Sequence, residues 1–320
     1  MKDGQGGLTM SAGNALHTTA GKSAPAGIKA SFGEKVFSVF NHLFFILFCI
    51  TTIFPFLNLI AKSLSSEEAV VSGIVTLWPI DLQFGTYRYV IENSMFLNAF
   101  KVSVIVTVCG TFLSLFMTTL SAYPLSKTRL RGRKWFILMF IFTMLFSGGL
   151  IPTYLLMRSL HLIDKLPVLF LPAMVNVYNM LIIKSYFESL PDELEESAKL
   201  DGASNMTILF RIVLPLSLPV LATIGLFFAV QFWNDYFASL IYINNPQLKP
   251  LQLYLKELFV SSSDEFLRQG QNVNVDAAMN VTPQSIQAAS IMLATLPILF
   301  VYPFLQKYFV KGVLIGSVKG

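Results

Sequence analysis

Formal charge is scarce in this sequence: 13% of its 320 residues are Asp, Glu, Lys or Arg, against about a quarter in a soluble domain. That deficit excludes an ordinary soluble globular protein. With 54% hydrophobic residues and a mean hydropathy of +0.63, the class is a polytopic membrane protein. Cysteine is scarcer still. Cys49 and Cys109 both lie inside apolar runs, which excludes a disulfide framework and a cysteine metal site. Both read as small buried apolar residues. The three histidines, His17, His42 and His161, are scattered. No His/Glu metal motif, no Gly-x-Ser-x-Gly elbow and no Gly-x-x-x-x-Gly-Lys-Ser/Thr phosphate loop occurs. If ATP drives the work of this chain, another chain hydrolyses it.

Acids and bases are also missing from the depths of the apolar runs. Carriers coupled to protons keep a carboxylate there for use, since an intramembrane charge costs several kcal/mol. Only Asp235 is available near the depth of a span, which argues against a stand-alone ion-coupled secondary carrier, the rival reading. A membrane scaffold that moves no solute is a second rival. The net charge of +5 does not point to nucleic acid. Its basic residues sit in short loops between apolar runs, the pattern that orients membrane proteins.

What is present is a series of apolar runs of helix length. About 20 apolar residues cross a bilayer as a helix. Six spans are expected, over 37–61, 102–126, 135–157, 166–183, 218–242 and 286–306. The fourth is short and contains Pro167, Pro172, Asn176 and Asn179. Spans with an interior proline are expected to kink. Residues 1–35 are rich in Gly, Ala, Ser and Thr and read as a disordered tail; residues 308–320 read as a second tail. Lys127, Arg129, Arg131, Arg133 and Lys134 crowd one loop, on the same side as the lysines that flank the first and last spans. The excess of positive charge on cytoplasmic loops then puts both termini in the cytoplasm.

Aromatic and polar residues cluster toward the far end of the fifth span, in Gln231-Phe-Trp-Asn-Asp-Tyr236. Ring faces pack on the apolar C–H surface of sugars, and amides and carboxylates pair with hydroxyls. Trp233, Asn234 and Asp235 are therefore candidates to line a pathway, with Tyr154, Asn176 and Asn179 beside them. An interfacial aromatic belt and interhelical hydrogen bonding are the plainer alternatives.

The most informative stretch is a polar island at 190–219. Five of the eighteen acids fall between Asp192 and Asp201. Ser189 with Asp192 has the spacing of a capping box, and the early acids suit a helix N-terminus. Asp201-Gly202 reads as a helix stop. A second short helix is expected from Ser204, ending before Pro215. Two short helices joined by a glycine turn would thus lie on the cytoplasmic side.

Glu196-Ser-Ala-x-x-Asp201-Gly202, followed by Phe210, Ile212, Leu214-Pro215 and Pro219, resembles the EAA loop of bacterial ABC importer permeases. Ser197 stands where the family has its first alanine. Resemblance to the carbohydrate-uptake branch, similar to the smaller permease of the maltose transporter, extends over most of 37–320. It includes Leu77-Trp-Pro79, Thr86-Tyr-Arg88, Ala122-Tyr-Pro-Leu-Ser126, Arg131-Gly-Arg133, Trp233-Asn-Asp235 and the tail from Gln306. Ser147-Gly-Gly-Leu-Ile-Pro152 looks like the subgroup that takes up complex oligosaccharides or uronate-type fragments.

The resemblance implies an all-α permease fold of the type I importers, a transporter subunit and not an enzyme, over 36–307. It implies a bacterial plasma-membrane location and a heterodimer with a second permease. A cytoplasmic ATPase dimer would use ATP and Mg, leaving this chain without a cofactor, and a solute-binding protein would sit outside. It further implies that Glu195, Glu196, Ser197, Ala198, Asp201, Gly202, Phe210 and Pro215, in a loop over 189–217, couple the permease to the ATPase. In this carry-over Glu196 makes the ionic contact and Gly202 the turn.

Overall fold

The computed structural model describes residues 31–269 and 282–317. The described residues are helical, with no strand. The chain divides into two units, 1–53 and 54–320. Helix α1, Phe32–Leu64, carries Pro55. Its apolar side chains from Val36 to Phe56 are exposed; an exterior of this kind suits hydrocarbon or a protein partner rather than water.

The second unit is built on α4, Ser94–Ser126. Asn93 caps it, its side chain accepting from the N–H groups of Met95 and Phe96 at 2.9 and 3.2 Å. One face carries Ala99, Ser103, Gly110, Ser114, Thr118 and Ala122, all buried. Small residues let helices approach closely where water supplies no driving force. A Cβ on Gly110 would stand 2.9 Å from Phe232 Cδ2 and 3.1 Å from Phe170 Cβ. Two helices use this face: α7, Val177–Glu188, and α10, Leu218–Asn234. The core between them holds the fully buried Phe187, Phe228, Met180, Ile183 and Ile224.

Around this core lie the short helices α2, Glu67–Val71, and α3, Gly85–Glu92. Helix α12, Leu251–Gln269, and helix α13, Pro283–Ser317, pack together. Helix α13 also lies against α10 and α3. The start of α12 is tied to α4, because Ser103 Oγ accepts from the Leu251 N–H at 2.8 Å in a buried position.

Among the described residues, three helices are long and apolar enough to cross a membrane, or five if each of two bent pairs is one span. The expected third span, 135–157, is two helices, α5 (Arg133–Leu145) and α6 (Leu150–Ser159), bent by 108°. Gly149 sits at φ +90 in the break, a conformation costly for any residue with a Cβ. The expected fourth span, 166–183, is not one helix either. Leu166–Leu169 form a 3-10 turn around Pro167, and α7 starts only where the Asn176 side chain accepts from the Asn179 N–H at 3.1 Å. The expected fifth span, 218–242, ends as a helix at Asn234 and resumes as α11, Phe237–Tyr242. Cys49 and Cys109 are exposed rather than buried. They lie on faces of α1 and α4 that also expose Phe48, Ile50, Val108 and Phe112. A helix that is apolar all round gives no sign of which face the core takes.

Candidate functional site

The polar island forms two helices as expected, α8 (Asp192–Leu200) and α9 (Asn205–Leu216). Their signals differ from expectation in two places. Ser189 does not cap α8. It ends α7, its hydroxyl donating to the Tyr186 carbonyl at 2.7 Å, and Pro191 precedes α8 with no side-chain cap. Pro lacks an N–H, which that position does not need. Nor does α9 stop before Pro215. Residues Leu209–Val213 adopt a π-turn, whose wider spacing admits the proline ring, and the helix continues to Leu216.

The joint between the two helices follows from its glycine. Gly202 has φ +79. Its N–H donates to the Lys199 carbonyl at 3.0 Å, and the Ala203 N–H donates to the Ala198 carbonyl at 2.9 Å. These two bonds make a Schellman stop, which requires the left-handed residue. The Ser204 hydroxyl then accepts from the Thr207 N–H at 3.2 Å and starts α9.

The two adjacent glutamates of α8 differ in burial. Glu195 is buried, and its carboxylate pairs with Lys127, just beyond the end of α4. The Lys127 ammonium also sits 5.0 Å from the centre of the Tyr123 ring, and Lys199 approaches Glu195 at 3.8 Å. Glu196 is exposed. Ser197 is exposed and donates to the Glu193 carbonyl of its own helix at 2.8 Å. Ala198 is half-buried against the core. Asp201, Gly202, Phe210 and Pro215 are exposed, as are Leu194, Leu200, Met206 and Leu216. Leu200 is 90% exposed, an apolar residue with no place in its own chain's core.

Sequence reasoning used the basic loop at 127–134 only for orientation. The structure gives it a second role. Lys127 pairs with Glu195, Arg129 Nη2 donates to Asn205 Oδ1 at 2.9 Å, and Arg133 pairs with Glu188 while Lys184 reaches the same carboxylate at 2.8 Å. A run of bases preceding a run of acids was the available signal.

The pathway candidates do not form one site. Trp233 is buried, edge-on to Phe100 at 5.9 Å between ring centres. Asp235 Oδ1 accepts from the Ala238 N–H at 3.2 Å and so starts α11. Asn176 caps α7, and Asn179 is 4% exposed within the core. Tyr154 stacks on Tyr242, 6.1 Å between centres. Asn234 alone of the six lines an open cavity of about 520 Å³, between the end of α10, α12 and α13. Tyr236, Gln252, Lys256, Phe259 and Gln287 line it too, over an apolar floor that includes Ile291, Ala294 and Ile298.

The island is held from within and exposes a charged and apolar face, in a chain with several apolar helices. Residues 24–315 match the family of binding-protein-dependent transport system inner membrane components. The chain belongs to that family. It is a permease of the inner membrane, a transport component and not an enzyme. The permease is 42% identical over 287 residues to the polygalacturonan/rhamnogalacturonan transport system permease protein YtcP of Bacillus subtilis (strain 168), covering 90% of this chain and 99% of that one. It is 46% identical to protein LplC of the same organism, over 89% of this chain and 96% of the other. Among solved structures it matches a chain of a bacterial ABC transporter involved in the import of the acidic polysaccharide alginate. The TM-score is 0.80 at 33% identity, over 88% of this permease and 99% of that chain.

Proposed function

We propose that this permease is one of two that form the translocation pathway of an ATP-driven, binding-protein-dependent importer of oligosaccharides. In this reading it crosses the membrane six times with both termini in the cytoplasm, and the third and fourth crossings are interrupted. A solute-binding protein delivers the sugar from outside. A cytoplasmic ATPase dimer hydrolyses ATP with Mg, so this chain binds no cofactor. The saccharide class rests on the names of its relatives, which transport polygalacturonan, rhamnogalacturonan and alginate.

One observation carries the coupling role: Glu196 is exposed on a short helix whose neighbour Glu195 anchors that helix to the end of α4. An exposed acid beside exposed Leu200, Met206 and Phe210 is suited to a cleft with a basic group and apolar walls. The Gly202 stop holds α8 and α9 in a defined relation. A push on the island therefore reaches α4 through the Lys127 pair and α10 through the turn at Ser217. Rocking of these helices would open the pathway alternately to each side.

The test is uptake by the assembled transporter in proteoliposomes. Glu196→Lys, which reverses the exposed charge, and Gly202→Asp, which forces a side chain into a left-handed backbone, should each abolish ATP-dependent uptake with normal membrane levels of the permease. Uptake at the normal rate with either variant would refute the coupling role.

A further inference from the structure

We propose that the cavity between the end of α10, α12 and α13 is a passage site for the carboxylate of a uronic-acid unit, with Lys256 as its anion-binding residue. The inference rests on the importer reading above and narrows its substrate from oligosaccharides to acidic ones.

The cavity's volume of about 520 Å³ falls within the usual range for small-molecule sites, roughly 300–1,000 Å³. Its walls are regular. Gln252, Leu255, Lys256 and Phe259 follow the i, i+3, i+4, i+7 spacing of one face of α12. Gln287, Ile291, Ala294 and Ile298 share one face of α13 in the same way. Asn234 and Tyr236 close the third side. Three amides, two aromatic rings and one ammonium therefore converge over an apolar floor. The apolar floor suits the C–H surface of a pyranose, and the Gln252 and Gln287 amides carry groups that can donate to and accept from hydroxyls.

The charge pattern selects the kind of sugar. Among the described lining residues Lys256 carries the only formal charge, and no carboxylate joins it. The ammonium lies 4.2 Å from the centre of the Tyr236 ring, a cation–π contact that positions the charge without neutralising it. The acid next along α12 is committed elsewhere, since Glu257 pairs with Lys249 at 2.6 Å. The Asp235 carboxylate is turned to the start of α11. A cation left open among hydroxyl-binding groups fits a sugar carboxylate. One ammonium among weak polar groups also suits transit, where the ligand must leave as readily as it enters.

The experiment uses the permease assembled with its partner subunits and binding protein in proteoliposomes. The probes are two uronate trisaccharides, trigalacturonate and trimannuronate, and their carboxyl-reduced neutral counterparts. Lys256→Gln should lower uronate uptake at limiting concentration by about tenfold, the loss expected for a charge-assisted contact, with the same amount of assembled complex in the vesicles. Lys256→Arg should restore most of it. Arg88→Gln, which removes an exposed cation outside the cavity, should transport like the parent. The assignment is overturned if Lys256→Gln transports uronates at the parent rate, if Arg fails to rescue, or if Arg88→Gln falls equally. If the parent complex imports only the neutral sugars, the importer reading stands and the Lys256 assignment fails. If it imports neither kind, the importer reading itself fails.

Discussion

Lys127 and Glu195 form an ion pair between the end of the central helix α4 and the island helix α8, with side-chain exposures of 16% and 10%. Glu196, one residue further along the same helix, is exposed. One residue of helix, about 100° of rotation, thus separates an internal anchor from an exposed carboxylate. The anchor matters because a lever must be fixed to what it moves.

Removing one partner of this pair should cost more than removing both. Lys127→Met leaves the Glu195 carboxylate largely enclosed, with only Lys199 at 3.8 Å. The expected loss is on the order of 2 kcal/mol, below the range for a fully enclosed charge because of that second cation. Lys127→Met combined with Glu195→Leu should recover most of it. A double-mutant cycle on thermal unfolding in detergent measures the coupling, and strictly additive effects would show that the pair contributes nothing.

Gly110 and Gly225 should respond differently to alanine. A Cβ at Gly110 would lie 2.9 Å from Phe232 and 3.1 Å from Phe170, so α4 and α10 must move apart. The expected cost is about 1–3 kcal/mol. At Gly225 the nearest atom would be Leu115 Cδ2 at 3.7 Å, ordinary contact. Gly225→Ala should therefore fold as well as the parent. Equal thermal stability of the two variants would contradict the close approach at Gly110.

Asp164 gives a pH dependence whose sign can be worked out. Its carboxylate accepts from the backbone N–H groups of Asn244 and Asn245, the latter at 2.9 Å. These bonds, Asn245 first, hold its pKa below the usual carboxylate value, with partial opposition from burial. A depressed folded pKa means that the stabilisation is fully present above the unfolded pKa of about 3.9. It is lost as pH falls through the lower folded value. The melting temperature of the parent should exceed that of Asp164→Asn by a constant margin from pH 5 to 7, and the margin should shrink toward roughly pH 3. A margin that widens on acidification would reverse the assignment.

The sequence by itself determined the membrane class, the need for a separate ATPase if ATP is used, and the island's joint at Gly202 and Ser204. These rest on local chemistry: run length, a missing phosphate loop, a left-handed stop and a hydroxyl cap. It also held the signals for two broken spans, in Ser147-Gly148-Gly149 and in Pro167 with Pro172, although run length alone argued for continuous helices. Tertiary structure alone decided direction. Neighbouring residues on a helix point about 100° apart, and a helix apolar on every side has no polar stripe to show which face turns inward. Hence Glu195 went to Lys127 and Glu196 to the exterior, Trp233 went into the core while Asn234 reached the cavity, and Lys256, unremarkable in sequence, stood with three amides and two rings. Those partners come from helices far apart in the chain, and only their packing brings them together.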